Sequence, residues 1–184
     1  SMFNEVAWFF PALGGQGENT LYAKLNIIEN EWDYGSLGRS AWIDVTVLGN
    51  PIGADLSGTI YQHEVGYNAG TAVLDSSFQS GYWSISDGND LVTVDWILPD
   101  MTFTPYPGGT SASLTMTFYA VDYIGQTPRV YGPFTYTNAT QYINTRIRGR
   151  FLSVKIEGAD LGSFWRLGRI RYRFAPDGGR LWLV

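Results

Sequence analysis

Hydrophobic and polar residues alternate with a period of two along much of this chain. The clearest case is Ser113–Asp122, where Leu114, Met116, Phe118 and Ala120 fall on one side and mostly threonine and tyrosine on the other. Successive side chains of a strand point to opposite faces, so this pattern predicts a strand with one face in a core. No window combines sustained helical spacing of apolar residues with capping residues. The sequence therefore predicts an all-β protein with antiparallel sheets.

Similar segments recur before residue 99, separated by turn residues. The predicted strands cover Glu5–Phe10, Thr20–Ile27, Ser40–Leu48, Gly58–Val65, Gly81–Ser86 and Leu91–Leu98. The last two flank the turn sequence DGND and are predicted to form a hairpin. Residues 21–37 run as strand, polar turn and Trp-led strand, which is typical of a kelch-type propeller blade and also of an ordinary hairpin with a core tryptophan. The fold class is therefore propeller-blade-like or a β-sandwich.

Proline and glycine are concentrated in the middle of the chain, in PDMTFTPYPGG (Pro99–Gly109). Such composition interrupts regular structure and predicts a linker or a long crossing loop over residues 99–112. The predicted domains are a blade-like β region over residues 1–98 and a C-terminal β region with a basic hairpin over residues 113–184. In the second region, Arg129–Thr137 contains Pro133 and is expected to be an edge or bent strand.

Two long strands near the end of the chain, about Gln141–Glu157 and Ser163–Ala175, hold most of the arginines. In RIRYRF the arginines fall on one face and Ile170, Tyr172 and Phe174 on the other, which must be the inner face. Gly149 predicts a bulge that resets the alternation. Pairing of the two strands as a hairpin would form a basic stripe. The predicted contact residues are Arg146, Arg148, Arg150, Arg166, Arg169, Arg171 and Arg173.

Charge is distributed unevenly along the 184 residues, whose net charge is −5. Residues 1–100 hold 13 acidic and 2 basic side chains, whereas residues 129–184 hold 3 acidic and 10 basic ones. One interpretation is two solvated faces that differ in sign. The other is a subunit whose basic part meets acidic protein surfaces, on another copy or a neighbour, or the phosphates of nucleic acid. No groove-reading motif is present, so DNA would be contacted through shape and charge alone.

Enzymatic chemistry has little support in the sequence. The chain has no cysteine, and His63 is its single histidine, so neither a zinc site nor a histidine cluster can be formed from these residues. No G-x-S-x-G elbow or phosphate-binding glycine loop occurs. Glycoside hydrolysis stays open, because it requires only two carboxylates about 5–10 Å apart. No catalytic residue, metal or cofactor is predicted, and no apolar run approaches the roughly 20 residues of a membrane helix.

The segment Arg146–Arg180 resembles the C-terminal signature of tailed-phage virion proteins of the packaged-DNA stabilisation, or tail-hub, type. The shared features are an Arg-Gly-Arg strand, a WRLG strand and a PDGRR-like turn, here PDGGR with Gly179 in place of a second arginine. Upstream, EVAWFFP, NIIENEWDYGSLGRSAWID, NPIGAD and GTIYQHEVGYNAG resemble the same family in the same order. The resemblance is most specific over Glu5–Gly70 and Arg146–Arg180. Members of that family are longer, so the chain resembles their C-terminal part.

This resemblance implies a structural protein of the virion, assembled in the bacterial host cytoplasm at the head-to-tail junction. It implies propeller-like β architecture and multi-copy rings that contact neighbouring tail and portal proteins and help to retain packaged DNA. A homo-oligomer is expected, with a non-specific DNA contact as an open alternative and no membrane partner. A different class of function is a carbohydrate-binding β-sandwich, in which Trp42, Trp83 or Trp96 would form an exposed stacking platform.

Overall fold

The described part of the chain consists of β-strands and the turns that join them. The structure, a computed structural model, describes residues 3–44, 47, 49–85, 87–105 and 112–177. Every regular element in these residues is a strand and every strand pair is antiparallel, which confirms the predicted all-β fold. The described residues form no helix with the length and hydrophobicity of a membrane span. The chain divides into two compact units, Ser1–Gly66 and Tyr67–Val184, here the N-terminal and C-terminal units.

The N-terminal unit contains two three-stranded antiparallel sheets, in the orders β1-β2-β3 and β4-β5-β6. Its strands are β1 (Glu5–Pro11), β2 (Asn19–Asn26), β3 (Glu31–Ser36), β4 (Ala41–Ile43), β5 (Ile52–Ala54) and β6 (Ile60–Gln62). The predicted strand–turn–strand unit of residues 21–37 is therefore the β2–β3 hairpin. Among the described residues of this unit, only Pro51 and Gly53 are buried. The unit thus encloses almost no hydrophobic core within those residues.

The C-terminal unit contains a five-stranded sheet, a three-stranded sheet and a short hairpin. Its strands are β7 (Asn68–Ala69), β8 (Ala72–Val73), β9 (Ser76–Gln79), β10 (Trp83–Ser84), β11 (Val92–Pro105), β12 (Ser113–Val121), β13 (Arg129–Thr137), β14 (Ile143–Gly149), β15 (Phe151–Gly158) and β16 (Ser163–Pro176). The five-stranded sheet has the order β10-β15-β12-β13, with β9 also paired to β15. The three-stranded sheet has the order β14-β11-β16, and β7 pairs with β8.

The two larger sheets of the C-terminal unit share one hydrophobic core. In β12, Leu114, Met116 and Phe118 are no more than 2% exposed, as the alternation of this segment predicted. They join Val94 of β11 and Ile147 of β14 in a single buried cluster. Two antiparallel sheets that bury side chains against each other form a β-sandwich, one of the two predicted architectures. Each fully buried side chain of this size contributes about 1.5–3 kcal/mol.

The structure divides the chain at a different place from the predicted linker. The compact units meet between Gly66 and Tyr67, whereas residues 99–105 continue β11 and pair with β16. β14 covers β11 only as far as Ile97, so Pro99 lies where one edge of β11 has no β14 partner. The missing N–H of proline is tolerated at such an edge. The predicted loop includes residues 106–111, which lie outside the described residues.

The strands on either side of the DGND turn do not form the predicted hairpin. Trp83 and Ser84 of β10 pair with Leu152 and Phe151 of β15, whereas β11 belongs to the other sheet. The turn therefore passes the chain from one sheet of the sandwich to the other. By contrast, the edge position predicted for β13 is confirmed: this strand ends its sheet, and its register shifts at the segment that contains Pro133.

Candidate docking surface

Six of the seven predicted contact arginines lie on one side of the three-stranded sheet. The other side of this sheet packs on the core, where Leu167, Ile170 and Tyr172 of β16 contact the buried cluster. The alternate side chains are exposed. We call this outer side the arginine face, and its arginines are Arg146 and Arg148 of β14 with Arg166, Arg169, Arg171 and Arg173 of β16. Alternation along a strand thus correctly predicted the exposure of these arginines except Arg166, which shares the face because of a shift in β16.

The two arginine-bearing strands do not pair with each other, so the predicted basic hairpin is wrong. β11 lies between them, and its Thr93 is opposite Arg148 on one side and Ala175 on the other. Two strand spacings, about 10 Å, therefore separate the arginine rows instead of one. Because repulsion between like charges falls with distance, this arrangement weakens the repulsion expected between adjacent rows.

The chain leaves the three-stranded sheet at Gly149. β14 ends there and β15 begins at Phe151 in the other sheet, so the alternation is reset by a change of sheet and not by the predicted bulge within one strand. A Cβ at Gly149 would lie 3.0 Å from that of Ala120, so the close approach at the crossing favours a glycine. Arg150 lies in the crossing, partly buried, with its backbone N–H donated to the Val121 oxygen at 3.1 Å. It is therefore not part of the arginine face.

The alternation in β16 shifts once, at Gly168 and Arg169. Leu167 and Ile170 both pack against the core although they are three residues apart. The register of β11 also shifts at this level, between Pro99 and Met101. An extra residue of this kind is a β-bulge, which locally increases the twist of a strand. Arg169 consequently projects from the bulge between Arg166 and Arg171, and the row follows the twist of the sheet.

Two arginines of this face are held by carboxylates of the same unit. Arg173 donates from Nε and Nη2 to the two carboxylate oxygens of Asp95, both at 2.9 Å. This hydrogen bonding holds the pKa of Asp95 below its usual range. Arg148 pairs through Nε with Asp177. Both pairs are substantially exposed, so their effect is to orient the guanidinium groups more than to stabilise the fold.

Four arginines of this face have no carboxylate partner among the described residues: Arg146, Arg166, Arg169 and Arg171. The same three strands and the residue after them contribute only Asp95, Asp100 and Asp177. This face thus carries six guanidinium groups and three carboxylates, which gives it a net charge of about +3. Free guanidinium groups on a sheet backed by a core form a preorganised surface for carboxylates or phosphates.

Apolar side chains lie between the arginine rows, a feature that the pattern of the sequence does not predict. Trp96 and Leu98 of β11 are half-buried, and Tyr142, just before β14, is 44% exposed. The rings of Trp96 and Tyr142 lie 5.9 Å apart. A bulge in β11 between Val94 and Trp96 turns this tryptophan outward, and nothing in the local sequence marks that bulge. The surface therefore combines arginines with aromatic side chains, the composition typical of interface hot spots.

A second arginine cluster supports the crossing between the sheets. Arg129 contacts Asp122 with Nη2 2.5 Å from Oδ1 and also donates to the backbone oxygen of Arg148 at 2.8 Å. The hydrogen bond from Arg129 holds the pKa of Asp122 below its usual range, and the charges of Arg148 and Arg150 lower it further. Arg129 was not among the predicted contact residues. Its partners indicate that it fixes the β13 end of the sandwich.

The three tryptophans considered for carbohydrate binding do not form one platform. Trp83 packs against the core of the C-terminal unit, and Trp96 lies on the arginine face, in the other sheet. Trp42 belongs to the N-terminal unit, 37% exposed, with its ring 5.4 Å from that of Phe9 and 4.4 Å from that of His63. A flat aromatic strip of these residues is therefore not formed within either unit.

His63 is engaged by its neighbours in a way that suits packing. Its Nε2 accepts a hydrogen bond from Arg39 Nε at 3.0 Å, and the Arg39 guanidinium lies 4.0 Å from the centre of the Tyr61 ring. Burial, and then the charge of Arg39, lower the pKa of His63. This favours a neutral imidazole that accepts from arginine at neutral pH. The histidine is therefore part of an arginine–aromatic stack.

A hollow in the C-terminal unit collects hydroxyl and carboxylate groups, including Glu157 and Asp160. The Asp160 carboxylate already accepts hydrogen bonds from the backbone N–H and hydroxyl of Ser113, and Glu157 pairs with Lys155 at 2.7 Å. In the described part of the chain, no three acidic or histidine side chains are grouped to hold a metal ion. The carboxylates of Asp160 and Glu157 are thus engaged in a hydrogen-bond network and an ion pair within the unit.

Comparison with known proteins adds no relative to this description. Of the family-resemblance motifs, the WRLG segment lies in β16, whereas Gly178, Gly179 and Arg180 of the PDGGR turn lie outside the described residues. No protein-family model matches the chain, and a search of curated proteins finds no significant match.

Proposed function

We propose that this chain is a structural, non-enzymatic protein of the tailed-phage head-to-tail junction. In this proposal it acts in tail-hub assembly and in retention of packaged DNA, through contacts between subunits and between neighbouring rings. The motif resemblance of the two ends of the sequence supports the class of particle. The arginine face supports the mode of action, and it is the observation that carries the proposal.

The arginine face suits docking because its side chains project from a backbone that is already ordered. Arg166 and Arg171 project from a strand whose opposite side packs on the core, so little backbone order has to be gained on binding. Arginine binds carboxylates and phosphates through paired hydrogen bonds. Protein carboxylates are the favoured partner, because residues 1–100 of the same chain alone carry a net charge of −11.

Neutralising two free arginines tests the proposal. Arg166→Gln and Arg171→Gln together remove two charge-assisted contacts, each contributing about 1.5 kcal/mol or more. We expect assembly to weaken by about 100-fold, a loss of roughly 3 kcal/mol. Sedimentation velocity of the full chain, alone and with portal and tail proteins of the same particle, would measure it at 50 and 500 mM NaCl. Wild-type assembly should itself weaken at the higher salt concentration.

A matched control distinguishes the effect of the arginine face on assembly from the effect of a change in net charge. Thr127→Glu with Thr135→Glu makes the same change of −2 at exposed positions before and within β13, on the other sheet. This control should assemble like the wild type. Equal assembly by the arginine variant and the wild type would refute a docking role for this face. Wild-type binding to duplex DNA that is lost in the arginine variant, without any protein contact, would instead assign the face to phosphates.

A further inference from the structure

We propose that an exposed apolar side of the β1-β2-β3 sheet binds the arginine face of a second copy of this chain. The inference rests on the proposed function and names the partner surface within it. Each copy would then bind one neighbouring copy through its arginine face and another through the apolar side of its β1-β2-β3 sheet. Such a head-to-tail contact closes into a ring when its rotation permits.

The apolar side follows from the register of the three strands. Trp8 of β1 is opposite Ala23 of β2, which is opposite Tyr34 of β3, and the next positions on the same side pair in the same way. We call this side the aromatic face, and its residues are Val6, Trp8, Phe10, Leu21, Ala23, Leu25, Trp32, Tyr34 and, at the end of β3, Ser36. All except Ser36 are apolar or aromatic. The outer strands expose them most, with Trp32 64% and Tyr34 84% exposed.

The other side of the same sheet carries the charges. Lys24 Nζ lies 3.1 Å from Glu5 Oε2 and 3.4 Å from Asp33 Oδ2, so these three side chains neutralise one another in part. The rings of Trp8 and Trp32 stack across the aromatic face at 5.6 Å. A contiguous exposed apolar surface of this kind on one side of an amphipathic sheet marks an interaction site.

Charge decides which surface of a second copy covers the aromatic face. The N-terminal unit holds eight acidic and two basic side chains, a net charge of −6. Two aromatic faces stacked on each other would bring two such units together and repel. The arginine face offers the opposite charge, and four of its guanidinium groups have no carboxylate partner within the described part of the chain.

The two faces also match in the kind of side chain they present. Guanidinium groups stack on the rings of tryptophan and tyrosine, so Arg166 and Arg171 can bind Trp32 and Tyr34 of another copy. Trp96, Leu98 and Tyr142 supply apolar area between the arginine rows. Glu29, in the turn before β3, supplies a carboxylate for the remaining arginines.

Two variants that each lose one surface test this contact. Trp32→Thr with Tyr34→Thr removes the aromatic face at highly exposed positions and keeps side chains that suit a strand. Arg166→Gln with Arg171→Gln removes the other surface. Sedimentation velocity should show self-association of each variant weakened by about 100-fold, the effect of losing interface hot spots. Far-UV circular dichroism confirms that each variant keeps its β-sheet content.

Mixing the two variants gives the decisive result. Each retains the surface that the other lacks, so an equimolar mixture should form 1:1 dimers that cannot extend. As a variant that leaves every aromatic side chain in place, Glu29→Lys should assemble more weakly than the wild type, with a larger difference at 50 mM NaCl than at 500 mM. Assembly unaffected by this charge reversal would count against the contact even if the threonine variant failed to fold. The Thr127→Glu, Thr135→Glu control should assemble normally.

The outcomes distinguish this inference from the proposed function. If only the arginine variant loses assembly, the aromatic face is not the partner surface and the inference fails, while docking by the arginine face stands. If only the threonine variant loses assembly, aromatic faces bind each other and the inference again fails. A wild type that stays monomeric at high concentration, but binds a tail or portal protein, overturns the second-copy contact alone. Normal assembly of both variants overturns both proposals.

Discussion

Alanine at Gly158 would press on the core of the C-terminal unit from the end of β15. A Cβ at this position would lie 2.6 Å from Leu114 Cδ2 and 2.9 Å from Trp165 Nε1. Neither neighbour can retreat freely. Leu114 is only 2% exposed, and the Trp165 indole donates a hydrogen bond to Ser76 Oγ at 2.8 Å.

The expected cost follows from these two contacts. Carbon atoms in a well-packed interior stay about 3.5–4.0 Å apart, so the Leu114 methyl group must move by about 1 Å. Overpacking of this size costs about 1–3 kcal/mol. Weakening the hydrogen bond of Trp165 adds about 0.5–1.5 kcal/mol. The free energy of unfolding should therefore fall by about 1.5–4.5 kcal/mol, and with an m-value of about 2 kcal/mol/M the urea midpoint falls by roughly 1–2 M.

Urea unfolding followed by tryptophan fluorescence measures this change, with Gly81→Ala as the matched control. A Cβ at Gly81 meets nothing within 4 Å, so that variant should unfold near the wild-type midpoint. Leu114→Ala alone should cost about 2–5 kcal/mol by leaving a cavity. Combined with Gly158→Ala, the total loss should be smaller than the sum of the two by about 0.5–3 kcal/mol, because the smaller side chain relieves the overlap. Equal midpoints for Gly158→Ala and Gly81→Ala would refute the packing argument.

Two further changes probe hydrogen bonds in the two units. Tyr136→Phe removes the hydroxyl that donates to the buried oxygen of Pro99 at 3.0 Å and should lower the free energy of unfolding by about 1–2 kcal/mol in urea, whereas Tyr123→Phe, at an exposed position, should not. In the N-terminal unit, hydrogen bonds, the largest from Ser57, lower the pKa of Asp55 from 3.8 to about 2. A depressed folded-state pKa gives stability that is full above the unfolded value and is lost as the pH falls through the folded one. Asp55→Asn should therefore reduce the loss of thermal stability between about pH 4 and pH 2; a pH profile identical to that of the wild type would contradict this.

Local alternation was sufficient to predict which side chains share one side of a strand, because it depends only on the strand period. It did not predict burial itself, since Trp8 and Phe174, each on the apolar side of its strand, are 47% and 44% exposed. Leu114, Met116 and Phe118 are buried as expected, and Arg171 and Arg173 are exposed. The edge position of β13 was also predictable, since Pro133 removes a backbone donor wherever the strand lies. These features are set by residues within a few positions of each other.

Strand pairing could not be read in this way, because it depends on segments far apart in sequence. The DGND segment forms a turn, yet the strand before it, β10, pairs with β15 and not with β11. Likewise, β11 lies between the two arginine-bearing strands, β14 and β16. Pro99 indicated a linker because proline disrupts a fully paired strand. In the structure β14 pairs with β11 only as far as Ile97, so one edge of β11 is unpaired at Pro99 and tolerates the proline. The outward turn of Trp96 likewise follows from a bulge that only the pairing of β11 defines.

The described residues of the N-terminal unit enclose almost no hydrophobic core, which affects how the stability of this unit is measured. A folded region that leaves Trp32 and Tyr34 in water gains little from its own hydrophobic burial, so it draws stability from whatever binds it, by mass action. A partner present at 100 times its dissociation constant would add about 2.7 kcal/mol. The melting temperature and protease resistance of this unit should then rise with protein concentration, while those of the C-terminal sandwich stay constant.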